Sequence, residues 1–252
     1  MNGSNTYQNT PEWFNDRLFH FTSSELHKLM TKPRSGDVSK VTESYIFDKL
    51  AEDLTNGTCL DYNELNTREV RWGHQHEPEA RIAYEDRTGN TVDLCGFIEW
   101  SRTFGGSPDG LVGEDGIIEI KCPYNSAIHA KYLLLETASE LHGINPEYYA
   151  QIQGNLLVTG RKWCDFISYD PRCQNRYFML KILRVDRDEA FLKRVRDAQF
   201  HIIIGYPQHF PESSGLPEHL CPDQETGSRH GHTILCKTVP SKIVASVILH
   251  KL

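Results

Sequence analysis

Two carboxylates and a lysine lie close together in the stretch GGSPDGLVGEDGIIEIKCPY, residues 105–124. Asp109 occupies a Gly- and Pro-containing turn, and Glu119 and Lys121 alternate with isoleucines on a short predicted strand. Because side chains alternate along a strand, Glu119 and Lys121 share one face while the isoleucines pack on the other. Two converging carboxylates repel each other unless a cation lies between them, so the pattern predicts a divalent metal site.

The predicted site has the groups needed to hydrolyse a phosphodiester. Oxygen ligands favour Mg²⁺, with Mn²⁺ as a substitute, and we expect two ions per active site. Lys121 would deprotonate or orient the attacking water, while the metals neutralise charge on the transition state. A surface hairpin with a cross-strand Glu–Lys pair is the alternative interpretation of these residues taken alone.

The composition limits the classes of function. The chain has 252 residues, a formal net charge of -7 and seven cysteines, none of which form a CxxC pair. Isolated cysteines indicate free thiols in a reducing compartment. The sequence has no apolar run of the roughly 20 residues that a membrane helix requires, and its start lacks a basic leader and an apolar signal core. We therefore expect an intracellular protein that is neither secreted nor membrane-bound. The acidic balance means that any DNA must be held by a local basic groove and by metal ions.

Hydrophobic periodicity predicts helices before strands in the first half of the chain. Three segments have a helical pattern: TSSELHKLMTKP, SKVTESYIFDKLAEDLTNG and TREVRWGHQHEPEARIAYEDRTG. Pro78 in the third segment must either start the main helix or kink it. Three strand segments follow and are predicted to form a meander: TVDLCGFIEW, FGGSPDGLV and GIIEIKCPY.

The order then returns to a helix, NPEYYAQIQGNLLVTG, with Asn145 as its cap and Gly160 at its end. Helical spacing places Tyr148, Gln151 and Asn155 on one polar face. Two strands and a helix from about residue 186 to 204 complete the pattern. Helices that flank a central mixed β-sheet predict the α/β or α+β class.

One domain is predicted over residues 1–205, because this region contains no repeat, low-complexity tract or linker. Residues 206–252 are rich in Pro, Gly, Ser and His and are predicted to be a C-terminal appendage. Their cysteines and histidines fit no standard zinc-finger spacing, so a surface appendage is expected instead of a zinc site.

Pro-Asp at one strand end, followed by Glu-x-Lys on the next strand, is the signature of the PD-(D/E)XK nuclease superfamily. Four segments together resemble one branch of it, the phage lambda exonuclease and viral-recombinase alkaline exonuclease family, over residues 13–185. These segments, in the order of that family, are WFNDRLFHFTSSELHKLMTKPRSG, WGHQHEPEAR, GGSPDGL with EIKCPY, and YYAQIQGNLLVTGRKWCDFISYDPR. The resemblance implies a restriction-endonuclease-like core and a 5′-to-3′ exonuclease that digests one strand of duplex DNA from an end.

The resemblance also assigns roles to residues of this sequence. Asp109 and Glu119 would be metal ligands together with the carbonyl of Ile120, and Lys121 would activate the nucleophile. Glu77 resembles the family's helix glutamate near the metals, although Pro78 directly after it departs from the closest pattern. A glutamate in the first turn of a helix is the alternative interpretation of Glu77.

Recognition of a 5′ end requires a pocket for a terminal phosphate, built from an arginine fork with hydroxyl and amide donors. The resemblance places Arg17, Ser24, Ser107 and Gln151 in that pocket. Further DNA-binding residues are expected in two places. Tyr148 and Gln153 lie on the helix that contains Gln151, and Arg34 lies on the turn of KPRSG.

The resemblance also implies the partners, which are double-stranded DNA ends, two further copies of this chain in a homotrimeric ring, and a single-strand annealing protein. The expected location is the cytoplasm of a bacterial host or wherever the DNA resides. Three alternatives stay open at this point. They are a restriction-type endonuclease with the same core, a nuclease that also degrades RNA, and a non-catalytic DNA-end-binding protein. Cleavage of closed circular DNA, and conversion of linear duplex to nucleotides by divalent cation, would discriminate among them.

Overall fold

The computed structural model describes residues 8–32, 38–59 and 67–205, with the backbone alone for 198–205. Two compact units are distinguished, Met1–Lys193 and Arg194–Leu252, and the elements that position the site belong to the first. The predicted appendage, residues 206–252, lies outside the described residues. The domain boundary at residue 205 therefore stays a prediction. No helix in the described ranges is both long and apolar enough to cross a membrane.

The described residues form eight helices and eight strands. The helices are α1 (Pro11–Arg17), α2 (Leu26–Leu29), α3 (Lys40–Leu54), α4 (Arg68–Thr88), α5 (Ser126–Leu133), α6 (Ala138–Ile144), α7 (Pro146–Thr159) and α8 (Glu189–Gly205). The strands are β1 (Phe21–Thr22), β2 (Val92–Asp93), β3 (Ile98–Ser101), β4 (Phe104–Gly106), β5 (Gly110–Val112), β6 (Gly116–Lys121), β7 (Trp163–Tyr169) and β8 (Leu180–Asp186). Short 3-10 turns cover Ser23–Glu25 and Arg176–Phe178.

A five-stranded mixed sheet is the centre of the fold and has the order β2-β5-β6-β7-β8. β6 and β7 run parallel, with Glu119 opposite Phe166, whereas the other neighbours in this sheet are antiparallel. The first five residues of β6 are buried, as expected for a strand covered on both faces. This arrangement confirms the predicted mixed sheet flanked by helices.

The predicted meander is wrong, because a second sheet interrupts it. This sheet has the order β1-β4-β3, with β1 parallel to β4. The segment TVDLCGFIEW divides between β2 and β3, which belong to different sheets, and FGGSPDGLV divides in the same way between β4 and β5. The three residues Ser107, Pro108 and Asp109 therefore connect the two sheets.

Helix α4 packs across the five-stranded sheet. Its buried Ala80 and Tyr84 belong to one apolar cluster with Ile118 and Ile120 of β6. The helix neither starts at Pro78 nor stops there, because Thr67 caps it at the first turn and it continues to Thr88. Of the two alternatives predicted for Pro78, a helix start is thus excluded, and the first turns of α4 bring further residues of this helix toward the site.

Helix α7 contacts strands of both sheets. The predicted Asn145 cap is present, since its side chain accepts a hydrogen bond from the backbone N–H of Tyr148, and Gly160 ends the helix with a φ of 68°. Gly106 on β4 lies close to Ser23 and to Asn155 of α7, and this close approach allows α7 to pack against the strand. A Cβ on Gly106 would lie 2.3 Å from Ser23 Oγ and 2.5 Å from Asn155 Oδ1, so only glycine fits there.

Candidate active site

Asp109 lies where β5 begins and bonds to the end of the neighbouring strand. Its backbone N–H donates to the carbonyl of Ile118 over 3.2 Å. Its carboxylate Oδ2 accepts from the backbone N–H of Ile120 over 2.6 Å. The N–H and C=O of one strand residue point to the same edge of the strand. Since the N–H of Ile120 points to Asp109, the Ile120 carbonyl also lies on that side, beyond the last paired residues of β5.

Glu119 is a fully buried carboxylate in the middle of the fold. Its Oε1 lies 2.7 Å from Lys121 Nζ. Its Oε2 accepts a hydrogen bond from Asn155 Nδ2 over 3.0 Å. A buried carboxylate requires such partners, because an unpaired one would carry a large desolvation penalty. The orientation of Glu119 is thus set by groups on β6 and α7 together.

Lys121 points from the end of β6 toward α7. Its Nζ donates to Gln151 Oε1 over 3.2 Å and lies 4.7 Å from the centroid of the Tyr148 ring. Burial lowers the pKa of the Lys121 ammonium, but the carboxylates of Glu119 and Asp109 outweigh burial and raise it above the usual lysine value. Lys121 is therefore positively charged in this environment. All three residues on the predicted polar face of α7 contact Lys121 or Glu119: Tyr148, Gln151 and Asn155.

Glu77 reaches the same region from α4. It lines the same cavity as Asp109 and Lys121, and its Oε1 lies 3.9 Å from Arg81. Burial raises the pKa of the Glu77 carboxyl above its usual value, against the opposing charges of Arg81 and His74. Pro78 follows it without interrupting α4, so the structure brings Glu77 to the cavity.

The carboxylates of Asp109, Glu119 and Glu77 repel one another. Burial is the largest cause that raises the pKa of Asp109 well above its usual value, and the charges of Glu119 and Glu77 raise it further. A cation between these oxygens would relieve the repulsion. The structure thus contains an acidic cluster that is electrostatically suited to a divalent ion.

The donor set fits Mg²⁺ when substrate and water complete it. Within the described ranges, no three His, Cys, Asp or Glu side chains converge closely enough to form a metal site by themselves. Mg²⁺ is ordinarily held by one or two carboxylates, with waters and substrate phosphates as its other ligands. Asp109, Glu119 and the Ile120 carbonyl provide oxygen ligands of this type, so an incomplete protein ligand set is compatible with the predicted metal site.

A cavity of about 600 Å³ opens above these groups. Its lining includes nine of the predicted site residues: Arg17, Ser24, Glu77, Ser107, Asp109, Ile120, Lys121, Tyr148 and Gln151. Glu119 lies beneath the cavity and reaches it through Lys121. The structure therefore brings the candidate metal ligands and most of the candidate phosphate-binding residues into one space.

The wall around Arg17 is built from α1 and the segment after β1. The Arg17 guanidinium carbon lies 4.2 Å from the centroid of the Trp13 ring, and Arg17 Nη2 is 3.5 Å from Ser24 Oγ. Trp13 Nε1 donates to Ser107 Oγ over 3.0 Å. Burial lowers the pKa of Arg17, but a guanidinium keeps its charge in proteins. One arginine and two hydroxyls are thereby held in an arrangement suited to a phosphate.

Two predicted DNA-binding residues are not brought to this cavity. Gln153 is fully buried, and its amide is used by the backbone, because Nε2 donates to the carbonyl of Asp186 and Oε1 accepts from the N–H of Asp188. This placement contradicts a DNA contact for Gln153 and gives it a role in anchoring α7 to the end of β8. Arg34 lies outside the described residues, so its role stays a prediction.

Sequence reasoning missed several residues that the structure places at the site. Trp13 stands four residues before Arg17, a helical spacing that puts both on one face of α1. Asn155 was placed on the polar face of α7 but was not assigned to Glu119. His74 and Tyr124 also line the cavity. The only feature of the sequence that points to His74 and Tyr124 is that they lie near Glu77 and Lys121 in the chain.

Comparison with known proteins shows the family and the fold of the chain. Residues 12–162 match the family model described as the YqaJ-like viral recombinase domain. No curated protein sequence gives a significant match. The solved structure of an alkaline exonuclease from Laribacter hongkongensis is 32% identical, with 77% of this chain and 91% of that chain covered and a TM-score of 0.65. That enzyme has also been solved in complex with dAMP.

A phage-related exonuclease from Haemophilus somnus 129PT is more distant. It is 16% identical, with 75% of this chain and 94% of that chain covered and a TM-score of 0.58. At this identity the likeness concerns the fold alone. The alkaline exonuclease at 32% identity, together with the mixed sheet flanked by helices, shows that the described residues have the fold of PD-(D/E)XK-type exonucleases.

Proposed function

The chain belongs to the YqaJ-like viral recombinase family, and we propose that it degrades one strand of linear double-stranded DNA in the 5′-to-3′ direction from a 5′-phosphorylated end. The family and the fold indicate a nuclease. The strand, the polarity and the dependence on Mg²⁺ are the proposed part. The product would be a duplex with 3′ single-stranded overhangs, suitable for recombination by strand annealing.

One observation carries this proposal. Asp109 and Ile120 line the same cavity as Arg17, Ser24 and Ser107, its volume is about 600 Å³, and the third candidate metal ligand, Glu119, lies beneath it. An endonuclease that cuts within a strand has no need of a pocket for a terminal phosphate. A cationic pocket beside the hydrolytic centre supports end recognition, because the bound phosphate would place the first internal linkage at the carboxylates.

The residues that would hold the cation are Asp109, Glu119 and the Ile120 carbonyl. When bound, Mg²⁺ supplies an activated water and neutralises charge that develops on the scissile phosphate. Asn155 and Lys121 keep the Glu119 carboxylate in one orientation for this task. Glu77 adds a third carboxylate from α4, suited to a second ion or to a water that bridges to it.

Lys121 acts as a fixed positive charge. The carboxylates of Glu119 and Asp109 raise the pKa of the Lys121 ammonium and favour its charged form over the neutral amine that a base requires. The ammonium is instead suited to orient the attacking water and to stabilise the negative charge of the transition state. Gln151 and Tyr148 hold the ammonium against the wall of α7.

Assembly belongs to the same proposal. A chain with a net charge of -7 has little general attraction for DNA, so long digestion requires another way to stay on the substrate. A homotrimeric ring would supply a topological hold, with one heterologous interface repeated by cyclic symmetry. A single-strand annealing protein would then receive the 3′ overhang.

The experiment is digestion of linear duplexes that carry a 5′-phosphate, a 5′-hydroxyl or a blocked 3′ end, in Mg²⁺ and in EDTA. We expect Mg²⁺-dependent release of nucleotides from the 5′-phosphorylated strand, with a blocked 3′ end having no effect. Cleavage of closed circular DNA would favour the endonuclease instead. Binding of ends without any product would favour a non-catalytic end-binding protein. An RNA duplex tested in parallel decides the nucleic acid specificity.

Light scattering with and without DNA tests the assembly. A trimer of the 28.9 kDa chain is expected. A monomer at micromolar concentration under both conditions would contradict the ring while leaving the nuclease proposal standing.

A further inference from the structure

Two arginines and two aromatic rings form a stacked group beside the cavity, here called the arginine–aromatic cluster: Arg68, Trp72, Tyr124 and Arg172. The Arg68 guanidinium carbon lies 4.4 Å from the centroid of the Tyr124 ring. That of Arg172 lies 4.4 Å from the Trp72 centroid and 5.8 Å from the Tyr124 centroid. The two rings are 5.7 Å apart and nearly perpendicular, at 86°.

Arg172 is the anchored member of the cluster. Its Nε and Nη2 donate to the two carboxylate oxygens of Asp170 over 2.8 and 2.9 Å, and Nη2 also donates to the carbonyl of Pro123 over 3.2 Å. These bonds fix the guanidinium plane against Trp72, because a bidentate pair defines orientation as well as distance. The rings therefore have a fixed geometry before any ligand binds.

Arg68 is the exposed member. It lies in the first turn of α4 and forms no ion pair with any residue in the described part of the chain. Its guanidinium contacts Tyr124, no carboxylate among the described residues compensates its charge, and Arg68 itself is exposed to solvent. A buried structural cluster would instead pair or cover this guanidinium.

The cluster continues the wall of the catalytic cavity. Tyr124 and Pro123 line the cavity, and Tyr124 follows Lys121 by three residues. Val70 and Gly73, on the same turns of α4 as the cluster, line it too. Lys121 and Tyr124 both line this cavity, so a DNA strand held with one phosphate at Lys121 would pass along the wall to which Tyr124 belongs.

We propose that the arginine–aromatic cluster is a stacking subsite for an unpaired base of the DNA strand held in the active site. This inference rests on the proposed nuclease function. Bases stack on aromatic rings and on guanidinium planes, and the sequence-independent contact suits an enzyme that digests any strand. A paired base in intact duplex is already stacked on its neighbours, so the subsite selects a strand that has separated from its complement. The charge of Arg68 also lessens repulsion of the phosphates, whereas that of Arg172 is paired with Asp170.

The test is binding of a 5′-phosphorylated single-stranded oligonucleotide, labelled at its 3′ end, measured by fluorescence anisotropy in EDTA so that no hydrolysis occurs. We expect Tyr124→Leu and Arg68→Ala each to weaken binding about tenfold. Tyr124→Phe keeps the ring and should bind like the wild type. Lys162→Ala is the matched control, because Lys162 is an exposed cation that does not line the cavity. Thermal unfolding of each variant checks that it is folded.

An oligonucleotide with abasic sites at the first positions separates stacking from phosphate contact. It should bind the wild type about tenfold more weakly than the normal oligonucleotide, and the two should bind Tyr124→Leu alike. Folded Tyr124→Leu and Arg68→Ala variants with wild-type affinity would overturn the subsite, as would equal affinity of the wild type for both oligonucleotides. Digestion of linear duplex by the wild type in Mg²⁺ is scored separately, so a failed subsite and a failed nuclease proposal give different results.

Discussion

Asn155 Nδ2 donates a hydrogen bond to Glu119 Oε2 over 3.0 Å, and neither side chain is exposed to solvent. The bond joins α7 to the central strand of the sheet. Since Lys121 contacts the other oxygen of the same carboxylate, the two partners together leave Glu119 a single orientation. A carboxylate that is fixed in this way can bind a cation without losing side-chain freedom at that moment.

Replacing Asn155 with Leu should weaken both the fold and the metal site. Glu119 Oε2 would be left buried without a donor, which costs about 1–3 kcal/mol of unfolding free energy. Thermal unfolding measures the first effect, and calorimetry with Mn²⁺ measures the second. Gln153→Leu is the matched control, because Gln153 is an equally buried amide on α7 that bonds only to the backbone of Asp186 and Asp188. It should lose stability and keep its Mn²⁺ affinity, and an equal loss of affinity in both variants would contradict a specific role for Asn155.

Lys121→Ala should lower the turnover number by roughly 10²- to 10⁴-fold while DNA affinity changes little, because the positioned charge acts on the attacking water and the transition state. Single-turnover digestion and anisotropy with the same duplex separate the two quantities. Lys162→Ala removes a lysine from the opposite end of the sheet and should digest DNA like the wild type. A near-wild-type rate for Lys121→Ala would remove this lysine from the mechanism.

Asp109→Ala and Glu119→Ala should each reduce the affinity for Mn²⁺ and abolish nuclease activity, since each variant loses an oxygen ligand. Calorimetric titration of the DNA-free protein reports the affinity directly. Asp115→Ala, which removes a partly exposed carboxylate that does not line the cavity, is the control. If both Asp109→Ala and Glu119→Ala bound Mn²⁺ as the wild type does, the metal-site assignment would be wrong.

Asp170 should contribute stability that depends on pH. Burial alone would raise the pKa of this carboxyl, but hydrogen bonds from Arg172 and Ser126 lower it to about 2 from an ordinary value of 3.8. A lowered folded-state pKa adds stability that is fully present above the unfolded-state value and is lost as the pH falls toward 2. Asp170→Asn should therefore cost on the order of 1–2 kcal/mol at pH 7, given the partial exposure of Arg172. Urea unfolding should show this difference shrinking from about pH 4 downward, and a difference that is constant with pH would refute the assignment.

Arg17→Ala should slow digestion of 5′-phosphorylated ends about 10- to 100-fold, the usual effect of losing a hydrogen bond to a charged group. Digestion of 5′-hydroxyl ends should change much less. Initial rates on the two duplexes, compared within each enzyme, give the selectivity. A variant that is slowed equally on both ends would place Arg17 outside the phosphate pocket.

Sequence patterns predicted the parts of this fold that repeat with a clear period. The alternation on β6 and the caps of α7 gave both elements and the faces on which Glu119 and Gln151 lie. Strands β1 and β2 have two residues each and contain no periodic signal, so the separation into two sheets was not predictable. Their pairing depends on contacts between distant segments, which override local preference.

The sequence indicated which residue types form the candidate site, but it did not show which hydrogen-bond partners these residues have. Asn155 and Gln153 are both amides on α7, and helical spacing separates their faces without showing that one bonds to Glu119 and the other to the backbone near β8. The sequence patterns assigned no role to Trp13, yet its indole nitrogen donates to Ser107 Oγ. This pair joins residues that are 94 positions apart, so only the folded chain shows it.

The connection between the two sheets also sets a length scale for the reaction. Ser107 in the proposed phosphate pocket and Asp109 at the proposed metal site are two positions apart in the chain, a span of at most about 7 Å. If the proposed function holds, the covalent chain acts as a ruler between the anchored 5′ terminus and the bond to be cut. A ruler of this size predicts release of mononucleotides irrespective of base sequence, and a residue inserted at Pro108 should shift the cut along the strand.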